Sequence, residues 1–234
     1  MPFMPSLSEV EAVFSALGGI FLSPSAELAE RLEGIRGMVL DWDGVFGKGA
    51  KGEGVTSTFN EADSMGTNLL RFALWRARGE LPVTALITGE DNPTARRFAA
   101  REHFHAVYTS VKDKREAVEA LCSTFSVDSR DLIAIFDDVN DLGLAERCGI
   151  RVLVRRDASP LLKDYVARHG LCDYLTGAPA GGYAVREAAE LLLGLMGAFD
   201  AVVRARSTWA PEYRRYFEAR QAVETRGTSG ESAA

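Results

Sequence analysis

Val39-Leu40-Asp41-Trp42-Asp43-Gly44 carries an apolar, β-type run into two carboxylates spaced by one residue, and then into a glycine turn. A polar group at the carboxyl end of a buried strand is where an open α/β sheet gathers its ligand-binding side chains. Outward from this stretch the pattern recurs. Strands are expected over residues 38–42, 83–88, 105–108, 132–136 and 151–154, with amphipathic segments between them, the signature of βα units on a parallel sheet flanked by helices. Asn92-Pro93 and Ser159-Pro160 each set an N-cap before a proline at the first helical position, and Gly149 follows a helix end. Residues 44–59 hold five glycines and end in Val55-Thr56-Ser57-Thr58-Phe59, which reads as a glycine-rich loop with a small β-hairpin. Residues 63–78 are expected to be helical. Ahead of the sheet, residues 8–17 and 25–32 form two short helices, each opened by a serine N-cap with glutamate in the first turn.

Three further features fall on the same sheet edge as Asp41 and Asp43. Ala85-Leu86-Ile87-Thr88-Gly89 ends a strand in a hydroxyl, Lys114 opens the helix after the 105–108 strand, and Ile135-Phe136-Asp137-Asp138-Val139-Asn140-Asp141 ends another strand in carboxylates. Asp41, Asp43, Asp137 and Asp138 crowded at one edge would raise one another's pKa unless a cation stood among them. Mg²⁺ answers that requirement, because it takes oxygen ligands and keeps coordination positions open for water and phosphate. Each feature alone has an ordinary reading as a helix cap, a turn or a solvated lysine. Together, in this order and on one edge, they point to phosphoryl transfer through an aspartyl-phosphate.

Over roughly residues 37–193, these four segments resemble in order the motifs of the haloacid dehalogenase-like (HAD) hydrolases. The resemblance implies a HAD-like Rossmannoid α/β fold with Asp41 as nucleophile, Asp43 as general acid/base, Thr88 holding a phosphoryl oxygen and Lys114 neutralising charge. It also implies a Mg²⁺ cofactor at Asp41, Asp43, Asp137 and Asp138, faced by the backbone carbonyl of Asp43 rather than its side chain. Thr88 lies 47 positions after Asp41, and Lys114 lies 26 after Thr88. Neither interval has room for a cap domain. Among capless members the chain is similar to the phosphatases of deoxy-octulosonate and nonulosonate sugar acids, which share a segment seen here as Phe59-x-x-x-Asp63-Ser64-Met65-Gly66 and a late one seen as Gly181-Gly182-Tyr183-Ala184-Val185-Arg186-Glu187. That likeness implies a small phosphorylated metabolite as substrate, a sugar-acid phosphate first, with Asp63, Gly89, Gly181 and Gly182 beside it. It further implies a homotetramer built around the hairpin. The sequence departs from these enzymes at Phe136 and Ser64, which replace glycines, at Phe46-Gly47-Lys48, which replaces Leu-Thr-Asp, and at Gly182, which replaces an arginine. The competing reading is a catalytically weak HAD-fold scaffold that binds a partner through its C-terminal extension.

Composition sets the outer bounds. The chain has 234 residues, 47% apolar and 26% charged, with 27 basic against 33 acidic side chains and a net charge of −6. That describes an ordinary globular chain and disfavours nucleic acid or anionic membranes as partners. The longest apolar run, residues 191–199, is too short to span a bilayer, and no basic residue precedes Arg31 as a signal peptide would require. A cytoplasmic protein is expected, with Cys122, Cys148 and Cys172 as buried thiols. The expected organisation is an N-terminal helical extension (1–35), a phosphatase core (36–197), a C-terminal helical extension (198–226) and a disordered tail (227–234). His103 and His105 read as a helix-to-strand corner rather than a second metal site. Arginines and aromatics interleave over residues 204–220, and are expected to pack on the chain's own core or on a neighbouring subunit.

Overall fold

The computed structural model describes residues 5–229 apart from 53 and 56. In chain order its strands are β1 (Ile20–Phe21), β2 (Gly37–Leu40), β3 (Val83–Ile87), β4 (Ala106–Thr109), β5 (Leu132–Phe136), β6 (Ile150–Arg155), β7 (Tyr174–Pro179) and β8 (Arg226–Ser229). Its helices are α1 (Leu7–Ala16), α2 (Ser25–Leu32), α3 (Glu61–Arg78), α4 (Pro93–Arg101), α5 (Lys114–Phe125), α6 (Leu142–Ala145), α7 (Pro160–Arg168), α8 (Ala184–Leu195), α9 (Phe199–Ser207) and α10 (Pro211–Gln221). The eight strands form one sheet in the order β1-β7-β6-β5-β2-β3-β4-β8, parallel throughout except for β1 against β7. From β2 the chain steps outward through β3 and β4, then returns to the other side of β2 to lay down β5, β6 and β7. The topological switch point therefore lies between the carboxyl ends of β2 and β5, where a crevice opens because the two following loops leave in opposite directions.

Every residue of β2 and β5 is buried, as a central parallel strand covered on both faces demands. Alternation decides which way each points. Met38, Leu40, Ile133 and Ile135 join the core shared with α1, α2, α4 and α8, whereas Val39, Leu132, Ala134 and Phe136 join the core under α5, α6 and α7. Phe136 thus packs wholly inside, so a large ring where the resembled enzymes carry glycine leaves the strand end beyond it unobstructed. Neither interval between β2 and the start of α5 holds a further domain: the first contains a loop and α3, the second α4 and β4. No helix among the described residues is long and apolar enough to cross a membrane.

Several local expectations need correction. Among the described residues of 44–59, the expected β-hairpin is seen as an antiparallel bridge, Gly52 with Val55, beside a parallel bridge of Gly47 to Asp43. The tail expected from residue 227 is not free at its start: β8 adds residues 226–229 to the edge of β4, while 230–234 lie outside the described residues. β1, β7 and β8 have no counterpart among the expected strands; two are very short or terminal, and β7 carries a glycine and ends in proline. Helix α2 is entered from Pro24 rather than a serine cap, and Ser25 instead donates its hydroxyl to Glu11 at 2.7 Å. Cys148 and Cys172 are buried, but Cys122 is only half-buried.

The C-terminal extension packs on the chain's own core. The outer face of α3 offers Leu69, Phe72 and Ala73 to Val202 and Ala205 of α9 and to Tyr213 and Tyr216 of α10. Tyr213 meets Phe72 edge-on at 5.0 Å, and the Tyr216 hydroxyl donates to the Asn68 carbonyl at 3.3 Å. Further along α10, Arg220 pairs with buried Glu102 at 3.3 Å. At the corner between α4 and β4, His105 Nδ1 accepts from the Thr84 amide at 3.1 Å, and His103 Nδ1 lies 2.9 Å from the Val223 carbonyl.

Candidate active site

Asp41 is the residue after β2, and its amide still donates to the Ile135 carbonyl of β5 at 3.0 Å, so the backbone there is fixed by the sheet. Trp42, pointing the other way, is fully buried against Phe46 at 4.9 Å and Phe98 at 5.4 Å, and Phe59 stands edge-on to it at 6.2 Å. This aromatic box anchors the turn on which both carboxylates sit. Gly44 then turns at φ +90°, and a Cβ there would lie 2.0 Å from Asp137 Oδ2. Only glycine lets the β2 and β5 loops approach this closely.

Around Asp41 the charges interlock. The Lys114 ammonium, buried at the first turn of α5, bonds both Asp41 Oδ1 and Asp141 Oδ1. Asp141 Oδ2 accepts from the Asp137 and Asp138 amides at 3.3 and 3.2 Å, locking the turn after β5. Carboxylate oxygens of Asp41, Asp137 and Asp141 lie within 4.8 Å of one another, all three residues buried. Burial pushes Asp41 up to about 7, with Lys114 opposing the rise and Asp141 adding to it. Burial, followed by the charges of Asp41 and Asp141, pushes Asp137 up to about 8 against the pull of Arg156. For Lys114, burial favours the neutral amine, but Asp41 and Asp141 outweigh it and hold the ammonium above its ordinary range. Three buried carboxylates, with Asp138 beside them, against the Lys114 ammonium and the half-exposed Arg156 guanidinium leave excess negative charge, which a proton or a further cation must balance. An all-oxygen donor set of this kind suits a hard divalent cation.

These groups line a cleft of about 640 Å³ together with Asp43, Thr88, Gly89 and Asp138. Asp43 accepts from the Ser57 hydroxyl and pairs with Lys51 at 3.1 Å. Thr88 is fully buried at the end of β3, and its Oγ1 accepts from the Glu90 amide at 3.4 Å. Asp138 turns outward: its carboxylate caps the short turn at Val139 and pairs with Arg156, which also reaches Asp137. Asp63 is not in the cleft. It is fully buried, accepting from Asn60 Nδ2 at 2.6 Å and from the Arg186 amide at 2.8 Å, so it ties the start of α3 to the first turn of α8. Burial raises its pKa. Gly181 and Gly182 form the turn after β7, which contributes Pro179 and Ala180 to the cleft wall instead. Asp141, Arg155 and Arg156 were not among the expected site residues. Asp141 ends a D-D-x-x-D run, and Arg155-Arg156 ends a strand on the same edge, so both carried the positional signal that drew attention to Asp41.

No protein-family model matches the chain. It is 31% identical over 181 residues to the 3-deoxy-D-manno-octulosonate 8-phosphate phosphatase KdsC of Escherichia coli K12, covering 75% of this chain and 88% of that one. Among solved structures it is similar to a HAD superfamily (subfamily III A) hydrolase from Legionella pneumophila, with 26% identity, a TM-score of 0.64 and coverage of 78% of this chain and 94% of that one. It shares its fold, at 24% identity and a TM-score of 0.63, with the 3-deoxy-D-manno-octulosonate 8-phosphate phosphatase of Moraxella catarrhalis, solved with magnesium, phosphate and the sugar acid; 76% of this chain and 97% of that one are covered. A parallel sheet with its acidic cluster at the switch point, no inserted cap, and this breadth of identity place the chain in the KdsC-type phosphatase family of capless HAD-superfamily hydrolases.

Proposed function

We propose that the protein is a Mg²⁺-dependent phosphatase of a small phosphorylated sugar acid, acting through an aspartyl-phosphate on Asp41. The observation that carries this reading is the buried Asp41 carboxylate, held at the switch point between Lys114 and the Asp137–Asp141 turn in one open cleft. In this reading Asp41 attacks phosphorus, and Asp43 gives a proton to the departing sugar oxygen. Asp43 then takes a proton from the water that attacks the phosphorus of the acyl-phosphate, releasing phosphate and restoring Asp41. The Thr88 hydroxyl and Gly89 amide, at the end of β3, donate to phosphoryl oxygens, while Lys114 balances charge as the phosphoryl group arrives. Asp41 and Asp137, supported by Asp141, would hold the cation, which when bound neutralises phosphoryl oxygens as a Lewis acid.

The KdsC relative and the sugar-acid complex support the choice of substrate class. We also infer a cytoplasmic homotetramer without a nucleic-acid partner, with residues 36–197 as the phosphatase core; light scattering tests the mass. Phosphate release from 3-deoxy-D-manno-octulosonate 8-phosphate and other sugar phosphates tests the activity. Release that disappears in Asp41→Asn and in excess chelator is expected, since the amide is isosteric but cannot carry the phosphoryl group. Full turnover in Asp41→Asn would remove the nucleophile, and full turnover in chelator would remove the metal.

A further inference from the structure

We infer that Lys48 sets substrate specificity by receiving a second anionic group, at the end of the substrate remote from the transferred phosphoryl group. The inference rests on the phosphatase reading above and names a residue that discriminates among its substrates. Five cationic side chains line that cleft: Lys48, Lys51, Lys114, Arg155 and Arg156. Four are already committed. Lys114 holds Asp41 and Asp141, Lys51 holds Asp43 at 3.1 Å, Arg155 holds Asp157 at 2.6 Å, and Arg156 holds Asp137 and Asp138. Lys48 has no carboxylate within ion-pair distance among the described residues. An anion that bound Lys51 or Arg156 would compete with the largely buried carboxylates of Asp43 or Asp137, and one that bound Arg155 with the exposed Asp157, whereas one that bound Lys48 displaces no partner.

An unpartnered lysine on a surface is ordinarily only solvated. Lys48 differs in how it is seated. It follows Gly47, whose carbonyl accepts from the Gly44 amide at 2.9 Å and which bridges Asp43, so its backbone is tied to the loop that carries the catalytic pair. Its stem runs across Gly181, which turns at φ +67°; a Cβ on Gly181 would stand 3.2 Å from Lys48 Cγ and 3.6 Å from its amide nitrogen. The turn after β7 thus presents a bare backbone where Lys48 crosses it, so two separate loops fix where that side chain enters the cleft. A cleft of about 640 Å³ is ample for a phosphorylated sugar whose second charge lies several bonds from the first.

Three hexose derivatives test this, each with phosphate on a primary carbon: 6-phosphogluconate has a carboxylate at the far end, fructose 1,6-bisphosphate a second phosphate, and glucose 6-phosphate no charge. Wild-type kcat/KM should favour the first two over glucose 6-phosphate. Lys48→Ala should lower that preference about 10- to 100-fold, chiefly through KM, as expected for one charge-assisted hydrogen bond. Lys48→Arg should restore it and Lys48→Asp should lower it further. A larger loss with 6-phosphogluconate assigns a carboxylate, and a larger loss with the bisphosphate assigns a phosphate. An unaltered preference in Lys48→Ala, or equal losses on all three substrates, overturns the inference and leaves the phosphatase intact. No release by the wild type from any of these or from p-nitrophenyl phosphate overturns the phosphatase and the inference together.

Discussion

Replacing Gly44 by alanine tests how closely the two carboxylate loops must approach. The added Cβ would stand 2.0 Å from Asp137 Oδ2 and 2.4 Å from its Cγ, where ordinary contact begins near 3.4 Å, so the Asp137 carboxylate or the Asp43 turn must move by more than 1 Å. The backbone at φ +90° adds about 1–2 kcal/mol of strain for any L side chain. Catalytic groups tolerate displacements of only about 0.5 Å, and an error near 1 Å costs about 100-fold in rate, close to 2.7 kcal/mol of activation free energy. Gly44→Ala should therefore lose about 100-fold or more in kcat while unfolding only a few degrees early. Gly79, which ends α3 at φ +78° with nothing within 4 Å of its would-be Cβ, supplies the control. Gly79→Ala carries the same backbone strain far from the cleft, and should lose comparable stability without losing turnover. Phosphate release and thermal unfolding, measured on both variants, separate strain from displacement. Gly44→Ala within threefold of wild-type turnover would refute the argument that this glycine sets the spacing of the two loops.

Tyr216 is fully buried between α10 and α3, so Tyr216→Ala should destabilise the fold by about 3–5 kcal/mol in urea unfolding; truncation from Ser207 should be worse, because it also bares Phe72. His105 is held neutral, at about 4 rather than 6.5, by burial and then by the charge of Arg71. Because the unfolded chain takes up that proton first, its contribution of about 3 kcal/mol is complete above pH 6.5 and lost as the pH falls to 4; the slope should flatten in His105→Asn, as read from urea unfolding across that range. Arg156 occupies Asp137 and Asp138, so Arg156→Ala should bind Mg²⁺ more tightly in calorimetric titration, and unchanged affinity would show that the guanidinium does not compete.

Much of the sheet was legible because buried parallel strands are apolar on both faces and end abruptly. Residues 132–136 were delimited to the residue, since Asp131 and Asp137 bound an unbroken apolar run. β7 and β8 escaped for the opposite reason. In Tyr174-Leu175-Thr176-Gly177-Ala178-Pro179 a run of only three strand-compatible residues is cut short by Gly177, Ala178 and Pro179, and Arg226–Ser229 is polar, so both owe much of their conformation to the strands they join. The site divides similarly. Asp41, Asp43, Thr88, Lys114 and Asp137 stand at strand or helix ends that spacing alone locates, and the structure brings them to one cleft. Asp63, by contrast, was placed beside the substrate only by the family likeness of its segment. Its burial between α3 and α8 depends on a contact 123 residues away, with the Arg186 amide, which no local pattern contains.

The same distinction explains why the carboxylates need one another's context. Asp138 follows Asp137 directly and Asp141 stands four residues on, and the expectation placed Asp138, not Asp141, with Asp41 at the cation. The backbone decides: the turn after β5 closes with Asp141 accepting from the amides of Asp137 and Asp138, which fixes its carboxylate beneath the strand ends and within reach of Lys114. Asp138, extended at φ −140°, is thereby directed outward to the Val139 amide and Arg156. One acid is thus used to hold the turn and the ammonium, the other to cap and to meet solvent. If that division is correct, Asp141→Asn should loosen Lys114 as well as the cation, because the amide keeps the turn but withdraws the charge that holds the ammonium. Asp138→Asn should leave Mg²⁺ affinity within a few fold of wild type. Calorimetric titration that ranks the two variants in the reverse order would show that the outward carboxylate, and not Asp141, completes the metal's shell.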